Sequence, residues 1–283
     1  MMWLVADSLY CPEQFFASHL DSYAHYLREA GEVTWSVEVG PGLERRYKAF
    51  TPDVIFALDG YEALATWPAR VRVAQVAARC SPMPWAVRRP DGSPAYDLVL
   101  SSIPAMVEEA RRNGCRAEYM PLAFDTRARA CGMGVKRERK AIFIGTVGPN
   151  HQRRARLLEE LRDIVDVRPP VFGRAYFREL ASAKVVLNVH AEWAEGAANN
   201  MRLFEAAGMG ARVVSDGAVP PGLEDCWWWR FRDIGADDAR RGIELALAVG
   251  GDDAERTVLT RHTYEARIPR LIELVQEVAD VRR

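Results

Sequence analysis

The sequence predicts an α/β protein made of two Rossmann-like domains that face a central cleft. Three observations favour this class. Short apolar runs rich in β-branched residues alternate with helical patterns along most of the chain. Polar or glycine-bearing turns follow the apolar runs, at the carboxyl ends of the predicted strands. The length of 283 residues suits two compact domains of about 130 to 150 residues each.

The N-terminal domain is predicted over residues 1–125. Apolar runs bounded by polar turns predict its strands, over 3–6, 33–39, 54–58, 97–100 and 117–120. Helical spacing of apolar residues predicts helices over 12–31 and 104–113. Residues 71–77 suit either a strand or a helix, and the Pro-rich stretch 80–94 is predicted to be a loop. The alternation of strands and helices is typical of a Rossmann-like half.

A second Rossmann-like domain is predicted over residues 141–283, after an interdomain linker over 126–140. The linker stretch is rich in Arg and Lys, contains two glycines and has no hydrophobic periodicity. The strands of the second domain are predicted over 141–144, 164–167, 184–189, 212–215 and 227–231. Its helices are predicted over 151–161, 176–183, 199–208, 237–249 and 262–281.

The most informative stretch of the chain is a strand, loop, helix and strand unit over residues 183–217. Asn199, Arg202 and Glu205 recur every three residues, so they share one face of the predicted helix. The free N–H groups and the dipole at a helix N-terminus favour phosphate. The backbone amides near Asn199 and Asn200 are therefore candidates for binding a phosphate group.

The segment RLFEAAGMGARVVSD within this unit resembles the donor-binding segment of GT-B glycosyltransferases. It is most similar to the bacterial CgeB-like group within the GT4-like, glycosyltransferase family 1 assembly. The resemblance implies a GT-B fold in which Glu205 binds the ribose of a nucleotide. GT4-type enzymes usually carry another Glu eight residues earlier, where this chain has Ala197. The CgeB-like group commonly lacks that Glu.

Two further segments carry the same resemblance. YDLVLSS and NGCRAEYMPLAFD are similar to the end of the N-terminal domain of the family. HTYEARIPRLIELV is similar to the closing helix, which in GT-B folds crosses back to the N-terminal domain. The resemblance therefore implies that the N-terminal domain receives the acceptor and that the C-terminal domain holds the donor.

A glycine turn offers a second candidate phosphate contact. Gly145 and Thr146 lie between a predicted strand and a predicted helix, where backbone amides can approach a phosphate, although such turns also occur for purely steric reasons. Arg153 or Arg154 can supply a cation there or be an ordinary exposed helix residue. Together with Arg202, these groups are predicted to stabilise the charge that develops on a departing diphosphate.

Three residues are candidates for catalysis because each one follows or ends a predicted strand. His190 lies where active-site residues are found in this architecture, so we predict a polar role in the cleft, towards sugar or phosphate; the alternative is a capping role. Asp7 and Asp59 are candidate bases on the acceptor side, and the alternative for both is turn capping. No metal or cofactor is predicted, since the D-x-D motif that holds a divalent metal in the GT-A fold is missing from the sequence.

Composition excludes several classes of function. A net charge of -1 and a pI near 6.6 give no electrostatic argument for binding nucleic acid or an anionic membrane. The five cysteines are odd in number, widely spaced and free of C-x-x-C, which favours a reducing cytoplasm. We expect neither a signal peptide nor a membrane span. The motifs G-x-G-x-x-G and G-x-x-x-x-G-K-[ST] do not occur, which argues against a nicotinamide-dependent oxidoreductase and a P-loop nucleotidase.

The sequence therefore predicts a cytoplasmic, metal-independent glycosyltransferase of the hexosyltransferase type. Its donor is a nucleotide diphosphate sugar, with UDP as the expected nucleotide, and its acceptor is a small molecule, a glycan or a protein. The alternative is a catalytically inactive subunit that binds a nucleotide sugar for a partner glycosyltransferase. Ala197, in place of the upstream Glu, is the feature that supports this alternative.

Overall fold

The protein forms two compact α/β units. The structure is a computed structural model that describes residues 1–7, 17–38, 51–58, 61–77, 82–148, 151–190, 201–217, 228–231, 235–249 and 253–281. Unit 1 comprises Met1–Pro121 and Tyr264–Arg283, and unit 2 comprises Leu122–Thr263. Each unit is built on one parallel β-sheet. The two Rossmann-like sheets confirm the α/β class predicted from the sequence.

Unit 1 contains a six-stranded parallel sheet in the order β2-β1-β3-β4-β5-β6. Its strands are β1 (Met2–Asp7), β2 (Val33–Glu38), β3 (Val54–Ala57), β4 (Val71–Val76), β5 (Leu98–Ser101) and β6 (Ala117–Tyr119). Its helices are α1 (Ala17–Glu29), α2 (Tyr61–Ala65), α3 (Pro104–Arg112) and α10 (Tyr264–Val281). A short 3-10 turn, Pro84–Ala86, lies in the stretch that was predicted to be a loop.

Burial explains why the apolar runs of unit 1 form strands. All four residues of β3 and of β5 are buried, as expected for strands of a parallel sheet that is covered on both faces. The ambiguous stretch 71–77 is a strand, β4, because it pairs with β3 on one side and β5 on the other. Helix α2 was not predicted, since its five residues are too few to show a helical period.

Unit 2 contains a five-stranded parallel sheet in the order β11-β10-β9-β7-β8. Its strands are β7 (Arg139–Ile144), β8 (Val165–Arg168), β9 (Ala183–Asn188), β10 (Arg212–Asp216) and β11 (Trp228–Phe231). Its helices are α4 (Arg129–Gly132), α5 (Gln152–Glu160), α6 (Gly173–Ser182), α7 (Met201–Gly208), α8 (Ala236–Ala248) and α9 (Asp253–Arg261). Phe143, Leu187, Val214, Phe231 and Ile243 belong to a buried apolar core on one face of this sheet.

The stretch predicted as an interdomain linker, 126–140, is a folded part of unit 2. It contains a 3-10 turn, helix α4 and the first residues of β7. Arg129 donates a hydrogen bond of 2.8 Å to the carbonyl oxygen of Gly208, and Arg137 donates one of 2.8 Å to that of Met209. These arginines satisfy carbonyl groups at the end of α7, where a cation also complements the helix dipole. A role of this kind leaves no periodic pattern in the sequence.

Among the residues that the structure describes, no helix is long and apolar enough to cross a membrane.

Candidate functional site

Polar side chains gather at the carboxyl edge of the sheet in unit 2. Strand β9 ends at Asn188, β10 ends at Asp216, and Gly145 follows β7. Because β7, β9 and β10 are neighbours and parallel, these three positions lie at the same edge of the sheet. Ligands of open α/β sheets bind at this edge. Helix α7 begins after β9 and brings Arg202 and Glu205 to it.

Arg202 is held inside this edge by contacts from two neighbouring strands. Arg202 is only 8% exposed. Its Nη1 donates a hydrogen bond of 3.1 Å to Oδ1 of Asn188. Its guanidinium carbon lies 5.3 Å from the centre of the Phe143 ring on β7, a cation–π distance. The guanidinium group is therefore fixed in place before any ligand binds.

Gly145 makes room for that guanidinium group. Its φ of +154° is one that residues with a side chain rarely adopt, and a Cβ there would lie 3.2 Å from Nη2 of Arg202. The turn after β7 therefore requires a glycine, because its backbone passes close to Arg202. The sequence predicted this turn as a phosphate contact, and the structure places it beside the cation.

Glu205 lies one helical turn after Arg202 and is also buried, with 4% of its surface exposed. Its Oε2 accepts a hydrogen bond of 2.8 Å from the hydroxyl group of Tyr176 on α6. Burial raises the pKa of Glu205 to about 7, against the lowering effects of the Tyr176 hydrogen bond and the Arg202 charge. The carboxylate of Asp125 adds to the increase.

A second polar cluster joins the ends of β9 and β10. Oδ1 of Asp216 accepts hydrogen bonds from the backbone N–H of His190, at 2.9 Å, and from its Nδ1, at 2.6 Å. Oδ2 of Asp216 forms an ion pair with Arg153 on α5. Burial alone would raise the pKa of Asp216, but the hydrogen bonds and the charge of His190, together with the charge of Arg153, outweigh it and lower the pKa. Asp216 is thus a buried carboxylate.

Asn188 connects the two clusters. Its Nδ2 donates a hydrogen bond of 2.9 Å to Oγ of Ser215, while its Oδ1 accepts from Arg202. The same Nδ2 lies 3.5 Å from Nε2 of His190. The guanidinium group of Arg202 and the imidazole of His190 therefore both lie next to Asn188. This edge of the sheet thus carries a cation, Arg202, close to the hydrogen-bonded pair of His190 and Asp216.

The structure locates six of the predicted site residues at or beside this edge: Gly145, Thr146, Arg153, His190, Arg202 and Glu205. Asn199, Asn200 and Asp59 lie outside the described residues, as does the side chain of Asp7, the last residue of β1. Arg153 contacts Asp216, and Arg154 donates to the carbonyl oxygens of Thr146 and Val189, at 2.9 Å each. Both arginines thus bond to neighbouring protein groups.

Helix α7 differs from the prediction in one respect. The sequence predicted a polar face that starts at the helix N-terminus, yet all eight residues of Met201–Gly208 are buried. Arg202 and Glu205 are buried because Asn188 and Tyr176 supply polar partners within unit 2. Gly208 allows α7 to pack closely against Phe124, because a Cβ at this position would lie 2.5 Å from the ring of Phe124.

Sequence reasoning did not identify Tyr176, Asn188, Ser215 or Asp216 as site residues. Asn188 and Asp216 carry one usable signal, since each is a polar residue at the carboxyl end of an apolar strand. Tyr176 carries none, because it is one of two adjacent aromatic residues on an amphipathic helix. In the described part of the chain, no three His, Cys, Asp or Glu side chains are placed to hold a metal ion.

Comparison with known proteins supports the fold. Residues 137–273 match the family described as glycosyl transferase-like. AviGT4, a glycosyltransferase involved in avilamycin A biosynthesis, superposes with a TM-score of 0.69 at 17% identity, over 99% of this chain and 98% of that one. Sucrose-phosphate synthase from Thermosynechococcus elongatus gives 0.67 at 11% identity, over 99% and 100%.

A third similar structure was solved with ligands. Anabaena Alr3699/HepE, in complex with UDP and glucose, gives a TM-score of 0.60 at 13% identity, over 98% of this chain and 99% of that one. No curated protein matches the sequence. The resemblance to GT-B glycosyltransferases is confirmed: residues 137–273 form a glycosyl transferase-like region, and the whole chain has the GT-B fold with two Rossmann-like units.

Proposed function

We propose that this protein transfers a sugar from a nucleotide diphosphate sugar to a hydroxyl-bearing acceptor, and that unit 2 binds the donor. The observation that carries the proposal is the pair formed by Arg202 and Glu205. Both side chains are buried, one helical turn apart, at the carboxyl edge of a parallel sheet. A buried cation and a buried carboxyl group at this spacing suit the diphosphate and the ribose of one nucleotide.

Arg202 is assigned to the diphosphate. Glycosyl transfer breaks the bond between the sugar and the diphosphate, so negative charge grows on the departing phosphate oxygens. A preorganised guanidinium group stabilises that charge at little cost in reorganisation. The glycine turn at Gly145 lets the backbone approach the same place. We propose that these groups, with the amides near Asn199 and Asn200, supply this stabilisation without a metal ion or a cofactor.

Glu205 is assigned to the ribose. A carboxylate can accept hydrogen bonds from two neighbouring hydroxyl groups, and the 2′ and 3′ hydroxyls of ribose form such a pair. The hydroxyl of Tyr176 already donates to Oε2 of Glu205, and this hydrogen bond supports the proposal that the carboxyl group accepts from hydroxyl donors. UDP is the nucleotide we propose, and the complex of Alr3699/HepE with UDP and glucose, on a similar fold, supports this choice.

The acceptor is assigned to unit 1, with Asp7 and Asp59 as candidate bases. Asp7 is the last residue of β1, and Asp59 follows β3 in the sequence. The carboxyl ends of parallel strands are where ligands of such sheets bind. We propose a small molecule, a glycan or a protein as the acceptor, and a reducing cytoplasm as the compartment, on the basis of the cysteine pattern.

The second candidate is a nucleotide-sugar-binding subunit without catalytic activity. The residue that favours it is Ala197, which replaces the Glu that GT4-type enzymes carry at that position. Hydrolysis of the donor in the absence of acceptor separates the two functions. An active enzyme slowly releases UDP from a UDP-sugar, whereas a binding subunit shows saturable binding and no turnover.

Calorimetric titration with UDP, after a thermal-shift survey of nucleotides and nucleotide sugars, tests the donor assignment. We expect Glu205→Ala and Arg202→Ala each to weaken UDP binding by roughly tenfold or more, with the fold retained. Arg202→Ala should not change the affinity for uridine, which lacks phosphate. Glu62→Ala and Arg162→Ala, at exposed positions, are the matched controls. Unchanged UDP affinity in both site variants would exclude this donor site.

A further inference from the structure

His190 and Asp216 are more closely tied than their separation of 26 residues suggests. One oxygen of Asp216, Oδ1, accepts both from the backbone N–H of His190 and from its ring, at 2.9 Å and 2.6 Å. The other oxygen, Oδ2, faces Arg153. His190 is 7% exposed and Asp216 is 4% exposed, so the pair is largely shielded from water. Asp216 thus binds both the main chain and the imidazole ring of His190.

This geometry determines which ring nitrogen of His190 carries the proton. A carboxylate oxygen can only accept hydrogen bonds, so the nitrogen that faces Asp216, Nδ1, must be the donor. In the neutral ring, Nε2 then has a lone pair and no proton. Its neighbour in the structure is the amide nitrogen of Asn188 at 3.5 Å, the long limit of a hydrogen bond. Nε2 therefore retains the capacity to accept a stronger hydrogen bond.

The same geometry identifies the kind of group that Nε2 can bind. Phosphate oxygens are acceptors, and an acceptor nitrogen does not bind them, whereas a sugar hydroxyl can donate to it. The location agrees with this chemistry. Asn188, which lies beside Nε2, also accepts a hydrogen bond from Arg202, the residue assigned to the diphosphate. In a nucleotide sugar, the group bonded to the diphosphate is the sugar that is transferred.

We propose that Asp216 is a positioning residue that holds His190 with its proton on Nδ1, so that Nε2 accepts a hydrogen bond from a hydroxyl group of the donor sugar. Arg153 supports this arrangement by pairing with the second oxygen of Asp216. The ligand part of the proposal rests on the proposed function, because it requires a nucleotide sugar in unit 2. The position of the proton depends only on this chain and can be measured without any ligand.

Nitrogen NMR tests the position of the proton. In protein labelled with ¹⁵N on histidine, the ring signals of His190 are assigned by their loss in His190→Gln. We expect Nδ1 to carry the proton and Nε2 to be unprotonated, because Nδ1 faces a carboxylate oxygen and Nε2 faces the amide N–H of Asn188. Asp216→Ala should abolish that preference. A His190 ring that is protonated on both nitrogens, or on Nε2 alone, would overturn the proposal. If Asp216→Ala does not fold, Asp216→Leu keeps a branched side chain of similar shape and removes both acceptor oxygens.

Binding experiments test the contact with the sugar. The probes are UDP and whichever of UDP-glucose, UDP-galactose, UDP-N-acetylglucosamine and UDP-glucuronate raises the melting temperature most. We expect His190→Ala and Asp216→Ala to weaken binding of the UDP-sugar by roughly tenfold and to leave UDP binding unchanged. Asp166→Ala, an exposed aspartate on β8 of the same unit, is the matched control.

Each remaining outcome counts against at least one of the two proposals. Equal losses for UDP and the UDP-sugar would indicate a structural or phosphate-binding role and would overturn the sugar contact. If the wild-type protein binds neither UDP nor any of the UDP-sugars, the proposed function and the sugar contact both fail. In that case the NMR result still decides whether Asp216 fixes the proton on His190.

Discussion

The hydroxyl group of Tyr176 donates a hydrogen bond of 2.8 Å to the buried carboxyl group of Glu205. The two residues belong to different helices, α6 and α7, and are 29 positions apart in the sequence. Glu205 is therefore oriented by a partner within the protein before any ligand binds. Such preorganisation reduces the conformational cost of binding.

Tyr176→Phe tests the contribution of this hydrogen bond. Phenylalanine keeps the ring and removes the hydroxyl, so we expect the free energy of unfolding to fall by about 1 kcal/mol. Urea denaturation measures this change. In a Glu205→Gln background, Tyr176→Phe should change the free energy of unfolding by a different amount, because the two residues are in direct contact. Strict additivity of the two substitutions would show that the contribution of this hydrogen bond does not depend on the charge of Glu205.

Glu205 should make stability depend on pH in an unusual direction. Its pKa is about 7 in the folded protein and 4.5 ordinarily, so between these values the folded state binds more protons than the unfolded state. The stabilisation is complete below pH 4.5 and is lost as the pH rises through 7. This difference between the two pKa values corresponds to about 3 kcal/mol in the free energy of unfolding.

Glu205→Gln should remove this dependence and make the protein more stable than the wild type at pH 8. Urea denaturation at several pH values between 5 and 8 provides the measurement. Glu62→Gln, on the exposed side of α2, should leave the wild-type dependence unchanged. A wild-type stability that does not fall over this range would show that the carboxyl group is ionised throughout.

Gly145→Ala should damage both stability and nucleotide binding. The new Cβ would force an unfavourable backbone conformation and would lie 3.2 Å from Nη2 of Arg202, so we expect a loss of about 1 to 3 kcal/mol. We also expect weaker binding of UDP, because Arg202 would be displaced. Gly148→Ala is the control, since a Cβ there meets no atom within 4 Å. Equal behaviour of the two variants in thermal denaturation would refute this account of Gly145.

Gly208→Ala should destabilise unit 2 by overpacking. A Cβ at this position would lie 2.5 Å from the Phe124 ring, and such a clash costs about 1 to 3 kcal/mol. Phe124→Leu in the same chain should recover part of that loss, because the smaller side chain leaves space for the methyl group. Gly235→Ala, where a Cβ meets no atom within 4 Å, is the matched control for denaturation experiments.

The sequence predicted the strands of unit 2 well because a parallel sheet buries both of its faces. Val185, Val186 and Leu187 are completely buried, and a run of such residues is visible without any structure. Arg202 and Glu205 were identified through a local motif whose residues lie on one helix. In both cases the signal lies within a few consecutive residues.

The partners of these residues could not be predicted because they are distant in the sequence. Tyr176 is 29 residues from Glu205, and Asp216 is 26 residues from His190. Only the order of strands β7, β9 and β10 brings such positions together. Arg129 and Arg137 were assigned to a linker for the same reason, since the carbonyl groups they bind lie 79 and 72 residues away.

The path of the chain has a practical consequence for work on fragments. Helix α10, at the end of the chain, belongs to unit 1 and buries Tyr264, Ile268 and Leu271 there. A fragment that stops at residue 121 would expose the apolar surface that this helix covers, although it includes every strand of its own sheet. Removing residues from the carboxyl terminus would therefore destabilise unit 1, which contains the amino-terminal part of the chain, before it destabilises unit 2. Soluble expression of unit 1 alone therefore calls for fusing residues 264–283 directly behind residue 121.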